Sequence, residues 1–441
     1  MASQIRVNIE GFRSVGRADI IIDGITVVAG ENGSGKSTIS KLLYHLYKTT
    51  SDFDELVLRE LQLRLKDVFR FLDILQHELY TVIKDRNIRE EIRKDLLILR
   101  RKSDNSPDIQ LNKWISIINK MAYFYSFQQD LFEEDKRIKT STRNFRLKQI
   151  MRDVLKISTF DENENSPLNL DQISNFVESL FKEADGKIKS RPTSLFIESL
   201  RSIFSSDELP DVFYVLEYEE EIISLTKNYL SIPYSIQNVI YIDTPMMLGE
   251  EDSDNPHWDD LNELLSKSSK VDISKISGSI SRDIIHGEIS INDGSDFGRD
   301  FIYKRDDGHT YDLLDCATGV KSFGIIQLLL KNGSLTDKTL LIIDEPESHL
   351  HPQWIIEYAR LIVMLHKIIG VKFFIASHNP DMVSAIKYIS EKEAIDKNLN
   401  YYIAKKREMI YLYDYKHLKT DIDPIFESFN IALERIHQYG A

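Results

Sequence analysis

Ten residues near the start, AGENGSGKST from Ala29 to Thr38, dictate the local architecture on either side of them. Glycines at 30, 33 and 35 free the backbone to turn successive N–H groups inward onto an anion. Lys36 then stands where an ammonium reaches the outer phosphates of a nucleotide, and Ser37 where a hydroxyl reaches Mg2+. The pattern Gly-x-x-x-x-Gly-Lys-Ser is met in full. Before it, the apolar run Ile25 to Ala29 predicts a buried strand; after it, Ile39, Leu42, Leu43 and Leu46 predict a helix over Ser37–Tyr47 whose N-terminus faces the anion. Asn32, Gly33, Ser34, Gly35, Lys36, Ser37 and Thr38 are therefore the candidate contacts to the phosphates of ATP.

Two later motifs fit the same chemistry. In TLLIIDEPESHLHPQW a buried strand ends at Asp344 and Glu345. A carboxylate at the end of a strand beside a phosphate loop gives Mg2+ a second anchor after Ser37, and its neighbour can orient or deprotonate the attacking water. Asp344 is the expected metal anchor and Glu345 the expected base. In KFFIASHNPDMV a second strand ends at Ser377-His378, where an imidazole can donate to a γ-phosphate oxygen. His349 and His351 lack a third and fourth ligand at recognisable spacing, so they predict a turn before Pro352 rather than a metal site.

The chain of 441 residues exceeds one ordinary core, which predicts two or three units. Residues 1–50 carry short strands and the phosphate loop; residues 51–235 carry charged segments with apolar residues three or four apart, read as an all-helical insertion. The stripes of that insertion fit bundle packing better than a dedicated partner groove. Residues 236–390 return to strands alternating with helices, which implies a parallel sheet, with an antiparallel meander between His286 and Leu314. Residues 391–441 read as a strand-and-helix closing segment with a helix around Pro424 to His437, a possible surface for a partner. The acidic stretch Gly249 to Asp260 reads as a mobile loop. One cysteine, Cys316, and no secretory leader indicate a reducing, cytoplasmic setting, and no apolar run is long enough to span a membrane. The net charge of -14 disfavours bulk nucleic-acid binding, although a local basic face remains open because the sum hides its distribution.

GENGSGKST, LLIIDEPESHLHP and ASHNP in this order resemble the ABC-type ATPases of the SMC and RecF kind. The likeness is greatest to the stand-alone ATPases of bacterial anti-phage systems, the OLD family and the Septu ATPase PtuA. It covers residues 1 to 50 and 235 to 390 and implies an ABC-type P-loop head of α/β class with an antiparallel β subdomain. It also implies that two copies enclose the nucleotide, the second supplying a signature motif at a helix N-terminus. Here that motif corresponds to CATGVKSFG, with Thr318 and Gly319 as contacts, but Ala317 stands where the family has serine. The residue matching Arg13 can approach the nucleotide in such proteins; a solvated turn arginine fits as well. A Q-loop glutamine is missing, which leaves Asp243 and Thr244 as weak candidates.

The missing serine hydroxyl removes one charge-assisted bond to the γ-phosphate, on the order of 1.5–3 kcal/mol. That predicts nucleotide-driven assembly with slow or no hydrolysis, either a dimer of heads or a higher oligomer. Asp421 and Asp423 form a DxD, but the remaining chain is too short for a nuclease domain of the OLD kind, so no nuclease active site is expected. The resemblance implies a nuclease subunit encoded nearby, of HNH type for a Septu-like protein, and an anti-phage role. The competing expectation is an SMC- or RecF-like repair ATPase that clamps DNA directly; a transporter ATPase comes third.

Overall fold

The computed structural model describes residues 5–80, 83, 85–100, 107–129, 146–152, 170–243, 248, 256–267, 274–295, 298–408, 410–419 and 421–427. The chain divides into two compact units, one of Asp52–Arg191 and one of the residues on either side of that stretch.

The larger unit, the head, is built on a ten-stranded sheet in the order β5-β4-β1-β2-β13-β12-β3-β11-β10-β6. Its parallel part comprises β6 (Asn238–Ile242), β10 (Thr339–Asp344), β11 (Lys372–Ser377), β3 (Ile25–Ala29) and β12 (Leu399–Lys406). Every residue of β3 and β10 is buried, as unbroken apolar runs require when both faces of a sheet are covered. The other part, β1 (Ile5–Phe12), β2 (Val15–Ile22), β4 (Val212–Glu217) and β5 (Glu220–Ser224), pairs antiparallel, and β13 (Tyr413–Lys419) joins the two parts by pairing with β12 and β2.

The head helices are α1 (Lys36–Ser51), α6 (Ser194–Phe204), α7 (Pro256–Leu265), α8 (Ser274–Ser279, running into a π turn at Ile280–Ile285), α9 (Thr318–Lys331), α10 (Pro352–Ile369) and α11 (Pro380–Lys392). Two of their starts explain sequence details that carry no chemistry. His351 caps α10 by accepting from the Gln353 N–H, and Asn379 caps α11 by accepting from Asp381 and Met382, each directly ahead of a proline that needs no partner for its missing N–H. His351 is thus a structural turn residue. The meander read between His286 and Leu314 is a separate three-stranded antiparallel sheet, β7 (Gly287–Ser295), β8 (Gly298–Arg305) and β9 (Thr310–Asp312).

The smaller unit contains α2 (Phe53–Tyr80), α3 (Arg86–Arg100), α4 (Pro107–Gln129) and α5 (Asp171–Ser190). Along α2, Val57, Leu61, Leu65, Val68, Leu72, Leu75 and Leu79 form one buried stripe at helical spacing.

Three expectations change. The helical insertion ends at Arg191 rather than at residue 235, because β4 and β5 belong to the head sheet, β4 pairing with β1. Within the stretch read as a mobile acidic loop, Pro256–Asp260 opens α7, and Trp258 is fully buried; residues 249–255 lie outside the described residues. Residues 399–419 are not an appendage, since β12 and β13 sit inside the main sheet. Of the closing helix, 423–427 are helical and the remainder lies outside the described residues. Among the described residues, no helix is long and apolar enough to cross a membrane.

Candidate functional site

Parallel register collects the sequence motifs at one edge of the sheet. Ala29 lies opposite Ser377, and Asp344 opposite Ala376, so the phosphate loop, Asp344-Glu345 and Ser377-His378 all leave the carboxyl ends of adjacent strands. Open α/β sheets hold their ligands at that edge. Gly33 and Gly35 adopt φ of 80° and 98°, and a Cβ on Gly35 would lie 2.8 Å from Val15 Cγ2 and 2.9 Å from Ser14 Oγ. Only glycine meets both demands at 35. The loop is braced from the far end of the chain, where the Tyr415 hydroxyl donates to the Ser34 carbonyl at 2.9 Å.

Lys36 is 6% exposed, and its Nζ donates to the carbonyls of Gly30 at 2.8 Å and Glu31 at 3.0 Å. Burial pushes its pKa down, while the charges of Glu345, Asp344, Glu347 and Glu31 oppose that shift. Ser34 and Gly35 are also buried; Asn32, Gly33 and Ser37 are exposed and Thr38 half-buried. The seven loop candidates therefore form one continuous surface running from solvent into the fold.

Asp344 accepts from Ser40 Oγ at 2.8 Å and from the Tyr241 hydroxyl at 2.9 Å. Its burial raises the carboxyl pKa, and hydrogen bonds from Ser40, Ser37 and Tyr241 oppose the rise. Ser37 and Asp344, the paired metal candidates, are thus neighbours. Behind them Tyr241 packs against His257 at 4.7 Å and Tyr44 at 5.8 Å. Asp243, one of the weak Q-loop candidates, accepts from Trp258 Nε1 at 2.6 Å and lies 3.0 Å from His257 Nε2, which makes it an anchor for α7. Thr244 lies outside the described residues.

Glu345 adopts φ of 49°, a conformation uncommon outside glycine and concentrated at functional sites. Its N–H is tied to the Ala376 carbonyl at 2.8 Å, and its Oε2 accepts from Ser348 Oγ at 3.2 Å. His378 Nδ1 approaches Glu345 Oε1 at 3.3 Å and Glu347 Oε1 at 3.4 Å, both as ion-pair distances without hydrogen-bond alignment. Glu347 is the residue that motif reasoning missed. It is buried, accepts from Ser377 Oγ at 2.9 Å and from the His378 N–H at 3.0 Å, and burial pushes its pKa up. Glu347 thereby couples the turn after β10 to the end of β11. Nothing in the sequence distinguished it from any acidic turn residue.

Three candidates stand apart from this cluster. Ala317 is the cap residue of α9 and offers no side-chain bond; Gly319 in its first turn lies so close to α10 that a Cβ would fall 2.4 Å from the Trp354 ring. Gly319 thus packs against Trp354 and Leu350, while Thr318 opens α9 half-buried. The Arg13 guanidinium lies 4.9 Å above the Phe204 ring and donates to the Phe204 carbonyl at 3.2 Å. In that turn it is Ser14, its neighbour, that reaches the phosphate loop at Gly35.

The donor set suits Mg-ATP. It combines a buried ammonium, an anion-facing loop of glycine geometry, a serine hydroxyl beside a buried carboxylate, and a half-exposed glutamate and histidine at the rim. A family model described as an AAA ATPase domain matches residues 5–383. No curated protein matches the sequence. In three dimensions the chain is similar to the SMC head domain from Thermotoga maritima, at 12% identity and a TM-score of 0.37, over 94% of this chain and 98% of that one. A similar likeness, at 11% identity and a TM-score of 0.37, extends to the Smc head domain with a coiled coil and joint derived from Pyrococcus yayanosii, covering 98% of this chain and 100% of that one.

Proposed function

The chain belongs to the AAA ATPase domain family, and from that premise we propose that it is an ABC-type ATP-binding subunit that assembles around nucleotide and hydrolyses it slowly or not at all. One observation carries the reading: Lys36, Asp344, Glu345 and His378 converge at one sheet edge, while Ala317 leaves the signature position without a hydroxyl. In the proposed complex the amides of residues 32–38 and Lys36 hold the phosphates of ATP, and Ser37 and Asp344 hold Mg2+. The metal supplies charge neutralisation on the phosphates. Glu345 orients and deprotonates the attacking water, and His378, steered by Glu345 and Glu347, donates toward the terminal phosphate. Thr318 and Gly319 of a second copy close the site with helix N-terminal amides.

The proposal extends to a role in anti-phage defence, in which the nucleotide state of the oligomer governs an associated nuclease, of HNH type. Support comes from the motif resemblance. Light scattering of the purified chain with and without Mg-ATP tests the core of the reading. The expected result is a mass at least doubled by ATP in wild type and unchanged in Lys36→Ala. A mass indifferent to ATP removes the shared site. Pull-down with the products of adjacent genes tests the defence role; a stable nuclease partner supports it, whereas ATP-dependent duplex binding by the chain alone favours an SMC- or RecF-like clamp.

A further inference from the structure

The helical unit contains a cavity of about 1120 Å³ between α2, α3 and α4. It exceeds the roughly 300–1,000 Å³ of small-molecule pockets, which suits a stretch of polymer better than a metabolite. Its walls carry Lys66 and Arg70 from α2, Arg93 and Arg100 from α3 and Lys113 from α4, against one carboxylate, Asp73. The spacings 66/70 and 93/100 put each helical pair on one face, one and two turns apart.

Elsewhere on these helices some cations are neutralised. Lys120 on α4 bonds to Glu91 at 2.5 Å and Asp95 at 2.7 Å, and Arg64 on α2 bonds to Glu183 at 2.8 Å. In the cavity, Lys66, Arg93, Arg100 and Lys113 have no carboxylate partner among the described residues, and Arg70 has only Asp67 at 3.5 Å. On a chain of net charge -14, five cations facing one concavity form a local field opposite in sign to the whole. Between them lie apolar groups: Phe69 and Trp114 line the same space, and Leu97 and Ile98 remain 46% and 48% exposed there.

We propose that this groove binds single-stranded nucleic acid. The cations take the phosphodiester backbone, and Phe69 offers a face for an unstacked base with Leu97 and Ile98 as apolar contacts beside it, the pairing of charge and base face that single strands use. A duplex hides its base faces and presents phosphates alone, so the apolar lining would meet nothing. An acidic protein segment satisfies the charge but has no flat faces to lay on that lining.

The test is fluorescence anisotropy of the full chain with a labelled oligothymidylate and with a labelled duplex of equal length, without nucleotide, so that the result is independent of the ATP site. Five backbone contacts predict a slope of about -3.5 in log affinity against log salt, or roughly a 100-fold loss between 50 and 200 mM. Arg93→Ala with Lys113→Ala is expected to reduce the slope by about 1.4 and to weaken binding roughly tenfold or more. Lys66→Ala with Arg70→Ala, both exposed, provides a second pair should the first disturb folding. Lys120→Ala, on the neutralised side, is expected to leave affinity within twofold. The proposal is overturned if the duplex binds as tightly as the single strand, if neither pair changes affinity, or if polyglutamate displaces the oligonucleotide at equal charge concentration.

Discussion

Lys36 in the head and Lys187 in the helical unit are both ammonium groups held by oxygens, but by different kinds. Lys36 is buried and bonds only to the neutral carbonyls of Gly30 and Glu31, so burial pulls its pKa down. Lys187 bonds to both oxygens of Glu60 at 2.9 Å and pairs with Glu183 at 3.1 Å; burial works against its proton, yet these bonds outweigh it and the pKa rises. The first arrangement is incomplete without an anion. The second is complete as it stands. The buried charge of Lys36 is organised for something to be added, whereas that of Lys187 is closed on carboxylates of its own unit.

That contrast can be broken at several points. Lys36→Ala should reduce ATP affinity at least about 100-fold, since two charge-assisted bonds to phosphate are lost, without lowering the melting temperature of the ligand-free protein. Calorimetric titration and a thermal melt read the two halves separately, and a melt lowered as much as affinity would make Lys36 a structural lysine like Lys187. Glu345→Gln should leave affinity intact and slow phosphate release by about 100-fold or more from its already low rate. Fast basal turnover in wild type would instead show that Ala317 does not limit the site. Ala317→Ser restores a hydroxyl at the α9 cap; steady-state phosphate release should rise about tenfold, the weight of one such bond, and α9 should gain about 1 kcal/mol.

A pH comparison sharpens the same point. The carboxyl of Asp344 has its pKa raised in the folded protein, so the stability linked to it is complete below its unfolded value near 4 and is lost as pH rises through the folded value. Ligand-free wild type should therefore lose stability relative to Asp344→Asn as pH rises above the unfolded carboxyl value, which thermal melts across the pH range read out. The difference between the two proteins is the proper readout, because His45, held neutral down to about 3 by burial, destabilises both alike in acid. A gap that stays constant with pH would mean the carboxylate is solvated. Smallest of all, Lys187→Ala should change stability by no more than about 1 kcal/mol, as expected of a partly exposed pair.

The phosphate loop, the Asp344-Glu345 strand and the Ser377-His378 strand were legible because each couples a continuous apolar run to a chemically distinctive end, and the runs bury both faces in the structure. β4 and β5 were not, because their alternation is short, lies in a helix-rich stretch and acquires meaning only by pairing with β1, some two hundred residues away. The acidic stretch before α7 misled through composition. Pro256 followed by Trp258, Leu261 and Leu265 carried the helical signal, and Trp258 had to be buried for Asp243 to find its donor. Glu347 and Tyr241 gave no spacing signal at all; their roles come from which strand ends meet, a property of three-dimensional register rather than of local pattern. In the helical unit the apolar stripes were correctly packing, while the cavity charges are scattered over three helices and converge only once these are packed.

The late strands β12 and β13 have a consequence for how the protein is made. Until residues 399–419 leave the ribosome, β3 has at least one unpaired edge and Ser34 lacks the hydroxyl of Tyr415, 381 positions downstream. The nascent chain thus exposes a sticky, half-built cradle through most of translation. A product that stops before residue 399 lacks both the β12 neighbour of β3 and the Tyr415 brace on Ser34, so its phosphate loop is without those two contacts.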